Sequence, residues 1–128
     1  MQDRFRFRAW WKPEYREPIM LYDVEQTYDF MGGYPENVPE DCFGDVLADE
    51  DYILMQCTGL KDKNRKLIYE SDIVKYLDFL CIVVFKMGGF ILEVKKGKKD
   101  GFFHFYDMNE IFLEVIGNVY QDKELLDD

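Results

Sequence analysis

The sequence predicts a mainly β protein, a small and partly open β-barrel with little helix. Aromatic residues make up 17% of the 128 residues, and aromatic and β-branched residues favour strands. Short runs of such residues recur along the chain between Gly, Pro, Asn and Asp, a pattern typical of barrels and sandwiches. The length fits a single domain over residues 1–128.

The first predicted strand, Arg4 to Trp10, alternates between apolar and basic side chains, a period of two that indicates a half-buried strand. One face carries Phe5, Phe7 and Ala9, and the other carries Arg4, Arg6 and Arg8. Two interpretations of the arginine stripe stay open. It is either an outer face that is solvated or paired with acids, or a contact for phosphate groups. Ile19 to Tyr22 is the predicted partner strand.

The segment from Asp23 to Asp51 holds the whole charge imbalance of the chain. Ten of the 26 acids lie in it and no Lys or Arg does, and the remaining 16 acids equal the 16 bases. Its Gly and Pro residues interrupt regular structure. We predict an inserted acidic loop region with a turn at Met31 to Pro35 and a short helix at Cys42 to Ala48.

The chain is organised around the segment from Gly59 to Lys75. A strand from Tyr52 to Thr58 leads into it, followed by a turn in which Asp and Asn side chains bond their own backbone. A short strand at Leu67 to Tyr69 and a new strand from Ile73 to Tyr76 follow. A tight polar corner before a strand is typical of SH3-like barrels.

The residue pattern in the second half of the chain predicts a β-meander. Further strands are expected at Cys81–Lys86, Phe90–Val94, Gly101–Tyr106 and Glu114–Tyr120. Gly88-Gly89 is a hairpin turn signal. The charged run from Lys95 to Asp100 predicts a hairpin tip, and helical turns are expected at Asn109–Leu113 and Glu124–Leu126.

Four stretches carry a family resemblance. Phe5–Trp10 matches the pattern KFRAWD, Leu54–Leu60 matches LMQxTGLKD, and Glu114–Tyr120 with Glu124–Leu126 matches EVIGNIYENPELL. With Gly59–Lys75, these stretches resemble the YopX family, small proteins of phages and prophages in Gram-positive bacteria. Their order and spacing agree from end to end outside the acidic segment. The family has no established enzymatic activity, so the resemblance implies a fold and a setting more than a function.

Two positions depart from the family pattern. Arg65 and Ser71 stand where the family usually has Gly, and Gly is the residue that adopts left-handed backbone without strain. We therefore expect a left-handed residue to close the turn at Arg65. The structural signature of the pattern consists of Gly59, Asp62, Asn64, Tyr69, Asp72, Gly117 and Asn118.

No catalytic or metal site and no cofactor is predicted. Cys42, Cys57 and Cys81 lie far apart without a CxxC pair, which indicates reduced and mostly buried thiols. A zinc site would need all three together with His104, gathered from four distant places. A triad would need Ser71, which replaces a family Gly and therefore cannot be a family nucleophile.

Glu70 and Asp72, two residues apart, would share one face of an extended segment. Paired carboxylates of this kind do acid–base work or hold a divalent cation. The simpler interpretation, which we favour, is that Asp72 accepts backbone N–H groups at the corner and that Glu70 is solvated.

Two functional classes remain open. The first is a non-enzymatic accessory protein that binds another protein or a second copy of itself, with an acidic surface able to imitate nucleic acid. Its candidate contacts are Glu36, Glu40, Asp41 and Asp45. The second is a nucleic-acid-binding barrel, whose candidate contacts are Arg4, Arg6, Arg8, Lys95, Lys96, Lys98 and Lys99.

The net charge of −10 bears on both classes. It weighs against binding of duplex DNA, which depends on neutralising phosphates. The N-terminus lacks the apolar region of a signal peptide, and the longest apolar run, Phe79 to Phe85, is too short to span a membrane. We therefore expect a cytoplasmic protein.

Overall fold

The computed structural model describes residues 5–25, 50–97, 101–105 and 108–127. Within these ranges the chain forms nine strands and two 3-10 helices. The strands are β1 Phe7–Trp11, β2 Ile19–Tyr22, β3 Tyr52–Lys61, β4 Leu67–Tyr69, β5 Asp72–Tyr76, β6 Phe79–Lys86, β7 Gly89–Lys96, β8 Phe102–His104 and β9 Leu113–Asn118. The 3-10 helices span Glu110–Phe112 and Lys123–Leu126, which confirms both predicted helical turns.

The strands form two antiparallel sheets. The first has the order β2-β1-β3-β4 and the second the order β8-β7-β6-β5-β9. The second half of the chain is a meander through β5, β6, β7 and β8, with β9 returning to pair with β5. The protein is therefore mainly β with a curled half-barrel sheet, as the sequence predicts.

Two apolar clusters contain most of the buried apolar side chains among the described residues. The smaller lies on the first sheet and consists of Ala9, Trp11, Leu21, Val24 and Tyr52. The larger consists of Ile68, Val74, Cys81, Val83, Leu92 and Leu113. Ile68 belongs to β4 of the first sheet but is buried among residues of the second, so the short β4 strand joins the two sheets. Burial of such side chains is the main favourable term in folding.

The polar corner after β3 is held by one buried carboxylate. Asp62, 2% exposed, accepts hydrogen bonds from the backbone N–H groups of Asn64 and Lys66 through Oδ1, both at 2.9 Å. Its Oδ2 accepts from the N–H of Val115 in β9, also at 2.9 Å. Asp62 thus shapes its own turn and also ties that turn to the edge of the second sheet. Buried polar groups that are fully bonded in this way specify one local structure.

The end of β9 is a second polar corner. Asn118 Oδ1 accepts from the N–H groups of Tyr120 and Gln121, and Asp122 Oδ2 accepts from the N–H of Asn118. At Gly117 an added Cβ would lie 2.5 Å from Asp122 Oδ2, so only glycine allows this close approach. The signature residues here are therefore structural.

Three details of the sequence-based prediction were wrong. Phe5 was placed on the buried face but is 50% exposed. Lys95 and Lys96 were assigned to a hairpin tip but belong to β7, while residues 98–100 of that run lie outside the described residues. The β6–β7 turn residues are Met87 and Gly88, both with positive φ, because Lys86 pairs with Gly89. The turn type I′ needs positive φ at both central residues, which shifts the turn by one position.

Two further structural predictions fall outside the described residues. These are the turn at Met31–Pro35 and the helix at Cys42–Ala48. In the described part of the chain, no helix is long and apolar enough to cross a membrane.

Candidate anion-binding site

The site is built on a buried arginine of β1. Arg8 is 2% exposed, and its Nη2 lies 2.8 Å from Asp72 Oδ1 and donates to the carbonyl oxygen of Glu70 at 2.9 Å. Asp72 Oδ2 accepts from the backbone N–H of Tyr69 at 2.7 Å. The corner between β4 and β5 therefore covers the polar face of β1. Arg8 is paired with an acid, one of the two situations that the sequence allowed for the arginine stripe, and it is not solvated.

This ion pair is buried away from solvent, and one polar atom of Arg8 in it has no hydrogen-bond partner. Burial raises the pKa of Asp72 above its usual range, because desolvation of the carboxylate outweighs the opposing attraction of the Arg8 guanidinium. Arg8 Nε is buried without a hydrogen-bond partner. The guanidinium also lies 4.8 Å from the ring centre of Tyr69 and 6.0 Å from that of Tyr22, within the range of cation–π attraction.

Above this pair lies an open cleft of about 460 Å³. It is lined by Arg6, Arg8, Tyr22, Asp23, Lys61, Arg65, Lys66, Leu67 and Tyr69. The register of the strands brings these residues together. Arg8 in β1 pairs directly with Tyr22 in β2, and Lys61 in β3 pairs with Leu67 in β4. The cleft therefore crosses the first sheet, and the polar corner forms one wall.

The lining of the cleft is strongly basic. Five basic side chains face one acid, Asp23, whose carboxylate lies 3.9 Å from Arg6. Lys61, Arg65 and Lys66 form no salt bridge with any residue in the described part of the chain. Cations that lack a salt bridge among the described residues and surround a concave surface favour positive potential there, even in a chain with a net charge of −10.

Arg65 adopts a backbone conformation that most side chains avoid. Its φ is 64°, which confirms the left-handed residue predicted for this turn, and Ser71, the other departure from the family pattern, has a φ of 72°. A non-glycine residue in this region costs free energy and is often found at functional sites. Arg65 is therefore a strained residue that also contributes a cation to the cleft.

The structure brings only part of the predicted nucleic-acid contact set together. Arg6 and Arg8 line the cleft, whereas Arg4, Lys98 and Lys99 lie outside the described residues. Lys95 Nζ lies 2.5 Å from Glu93 Oε1, and Lys96 Nζ donates to the carbonyl oxygen of Asp127. Neither of these two lysines lines the cleft.

Of the nine lining residues, only Arg6 and Arg8 were predicted as contacts. The missed residues include one exposed aromatic side chain and three basic ones: Tyr22, Lys61, Arg65 and Lys66. The three basic residues flank the polar corner, in the run KDKNRK, which was a usable signal. Tyr22 lies in the strand that was predicted to pair with β1, but the register that places it opposite Arg8 was not predicted. The candidate partner contacts Glu36, Glu40, Asp41 and Asp45 all lie outside the described residues.

The carboxylates near the corner are engaged in structural contacts. Glu70 was expected to be solvated, but it is half-buried and its Oε1 accepts from the N–H of Gln56 at 3.1 Å. Asp72 accepts a backbone N–H at the corner, as expected. Across residues 5–25, 50–97, 101–105 and 108–127, no group of three or more His, Cys, Asp or Glu residues is placed to hold a metal ion.

The described thiols are buried, as the sequence predicts. Cys57 and Cys81 are both fully buried and free of disulfides. Burial raises the pKa of Cys81 to about 11, so its thiol stays protonated at neutral pH and is a poor nucleophile. Cys42 lies outside the described residues.

Fold and site together define a class: a small two-sheet β protein whose first sheet carries a basic cleft beside a polar corner. The family model described as YopX protein matches residues 6–127. The chain therefore belongs to the YopX family, as its sequence motifs indicate. No protein with a curated description matches the sequence.

Two solved structures share the fold. One is the protein EF1440 from Enterococcus faecalis, 25% identical, with 94% of this chain and 96% of that chain covered and a TM-score of 0.57. The other is the protein yopX from Bacillus subtilis, 24% identical, with 95% and 98% covered and a TM-score of 0.57. Both matches extend over nearly the whole of each chain.

Proposed function

We propose that this protein is a non-enzymatic binding module that takes an anionic ligand in the cleft above Arg8. One observation carries the proposal: five basic side chains line one cleft, and Lys61, Arg65 and Lys66 have no salt-bridge partner among the described residues. Soluble surfaces generally mix both signs of charge, so a cleft in which five basic side chains face one acid favours an anionic ligand.

The buried ion pair supports the proposal by fixing the floor of the cleft. Arg8 is held by Asp72, by a backbone carbonyl and by the Tyr69 ring, so it loses little freedom when a ligand arrives. A site of this kind is preorganised, and preorganisation improves affinity by lowering the ordering cost of binding. The volume of about 460 Å³ lies in the range of sites for small ligands.

The environment of the possible nucleophiles supports a binding role over a catalytic one. Cys57 and Cys81 are buried away from solvent, and the raised pKa of Cys81 removes the thiolate that nucleophilic catalysis needs. Ser71 uses its backbone for structure: its N–H donates to Val83 and its carbonyl accepts from Val119.

The experiment compares two double variants that change the net charge equally. Lys61→Gln with Lys66→Gln removes two cations from the cleft, and Lys12→Gln with Lys75→Gln removes two exposed cations that do not line it. Binding is measured by fluorescence anisotropy at about 50 mM salt against labelled polyphosphate, oligothymidylate and oligoglutamate, because weak electrostatic binding is strongest at low salt.

We expect at least one of the three polyanions to bind. Losing two phosphate-neutralising cations should weaken its binding about tenfold, and the control pair should change it by less than about twofold. The proposal is wrong if none of the three polyanions binds, or if the two double variants weaken binding equally.

A further inference from the structure

Tyr22 places an exposed aromatic ring in the basic cleft, which attraction between charges alone does not require. The residue is 47% exposed while it lines the cleft, and its ring lies 5.7 Å from the buried ring of Tyr69 at an interplanar angle of 77°. Arg8 lies beneath both rings. A half-exposed aromatic side chain is thus held in place, with cations on the elements around it.

We propose that the cleft binds single-stranded nucleic acid, with one base stacked on Tyr22 and the neighbouring phosphates bound by Arg6, Lys61, Arg65 and Lys66. This inference rests on the proposed anion-binding function and names its ligand class. A basic groove that follows the backbone, together with an aromatic ring that stacks a base, is the arrangement by which proteins bind single strands.

The shape of the cleft favours an unpaired base. A base in a duplex is stacked and paired, and it cannot enter a concave site without being flipped out of the helix. An unpaired base can enter at no such cost. The net charge of −10 opposes approach of the duplex more strongly, because its two strands carry twice the charge per unit length.

The alternative ligand for the same cations is an acidic peptide. Carboxylates would satisfy Lys61, Arg65 and Lys66, but a peptide of acidic residues has no aromatic ring to stack on Tyr22. The exposed ring therefore distinguishes the two ligand classes. Its substitution should weaken binding of a ligand that carries bases and leave binding of a purely ionic ligand unchanged.

The experiment uses three labelled probes of equal length: an oligothymidylate, an abasic phosphodiester chain and an oligoglutamate. A length of about 12 units covers the site sizes that single-strand binding surfaces typically show. Each probe is titrated by anisotropy into the intact protein and into Tyr22→Ala. Tyr15→Ala is the matched control, because Tyr15 is 79% exposed and does not line the cleft.

We expect the oligothymidylate to bind more tightly than the abasic chain. Tyr22→Ala should weaken oligothymidylate binding about tenfold, the typical effect of one lost stacking contact, and should leave the abasic chain unaffected. Tyr15→Ala should behave like the unmodified protein. Neutralising about four phosphates predicts a slope of log affinity against log salt near −3. A paired duplex of the same sequence should bind more weakly than the single strand.

The outcomes separate this inference from the proposed function. Equal binding of oligothymidylate and abasic chain, with no effect of Tyr22→Ala, would overturn the single-strand inference and leave the anion site standing. Preference for oligoglutamate would overturn it in favour of an acidic peptide. Binding of none of these probes would overturn the single-strand inference, and the proposed anion site is wrong as well if polyphosphate also fails to bind.

Discussion

The single residue Arg65 affects both the stability of the protein and its proposed function. With a φ of 64° it strains the turn that Asp62 organises, and it also supplies a cation to the cleft. Strain of this kind persists where the surrounding structure enforces it, often at sites with a function. The same residue should therefore lower stability and raise affinity.

The prediction is that Arg65→Gly stabilises the protein and weakens binding. Relief of the left-handed conformation should raise the free energy of unfolding by about 1 kcal/mol, while loss of the cation weakens oligonucleotide binding severalfold. Ser71→Gly is the control, because Ser71 has a φ of 72° but does not line the cleft.

For Arg65→Gly, denaturant titration should therefore show a gain in stability, and anisotropy should show a loss of affinity. For Ser71→Gly, the stability should rise and the affinity should stay unchanged. If Arg65→Gly leaves the denaturation midpoint unchanged or lowers it, the strain assigned to this turn is wrong.

A second prediction concerns the buried pair of Arg8 and Asp72. Asp72→Ala should lower the free energy of unfolding by about 3–5 kcal/mol, because it leaves a buried guanidinium without its counter-charge. Adding Arg8→Met should restore part of the loss, since the unpaired charge is then removed as well. Chemical denaturation of the single and double variants measures both. A cost below about 1 kcal/mol for Asp72→Ala would contradict the desolvated pair.

The β6–β7 hairpin provides a prediction at the scale of an element. Glu93 accepts from Lys95 at 2.5 Å and from Lys86 at 2.9 Å, and these hydrogen bonds lower the pKa of its carboxyl below the usual value of 4.5. A lowered carboxyl pKa means stabilisation that is present above the unfolded pKa and lost as pH falls through the folded pKa.

Glu93→Gln should therefore destabilise the hairpin at neutral pH and have no effect in strong acid. The expected cost near pH 7 is about 0.5 kcal/mol, the usual size for a solvent-facing pair, and it should shrink in high salt. Thermal unfolding across pH measures it, with the exposed residue Glu124 as control in Glu124→Gln. A cost that persists below the folded pKa would contradict the ionic origin of the effect.

Most strands of the fold could be predicted from the sequence. Period-two patterns, turn residues and β-branched runs located strands that the structure also has, because these signals act over a few residues. The burial of Arg8 could not be read in this way. Alternation assigns a residue to a face of its strand, but the partner that covers this face, Asp72, lies 64 positions away in the sequence.

The cleft was predictable only in part for the same reason. The arginine stripe supplied Arg6 and Arg8 from one strand, whereas Tyr22 and Lys61 reach the site through strand register between distant segments. Local sequence determines which side chains are available, and tertiary pairing determines which of them meet.

At the scale of the whole molecule, the net charge of −10 opposes the positive potential of the cleft. Replacing Glu36 and Glu40 by Gln, and Asp41 and Asp45 by Asn, reduces this long-range repulsion. Affinity for oligothymidylate should rise severalfold at low salt and match the unmodified protein at high salt, where screening acts over about 10 Å or less.

The same four substitutions test the hypothesis that these acids contact a basic partner. Melting temperature should stay level or rise, since like charges destabilise the compact state. Association with a basic partner protein should slow and lose its salt dependence. Unchanged affinity of the cleft at low salt would show that the acids exert no long-range effect on it.

The most direct test of the central claim is a titration of the isotopically labelled protein with oligothymidylate, followed by amide chemical shifts. We predict saturable shifts at Arg6, Tyr22, Tyr69 and residues 61–67, which line the cleft and form its corner. Amides of the β6–β7 turn at Met87 and Gly88 should stay in place. Shifts confined to Lys95 and Lys96, or no shifts at low salt, would contradict the assignment of the cleft as a site for single-stranded nucleic acid.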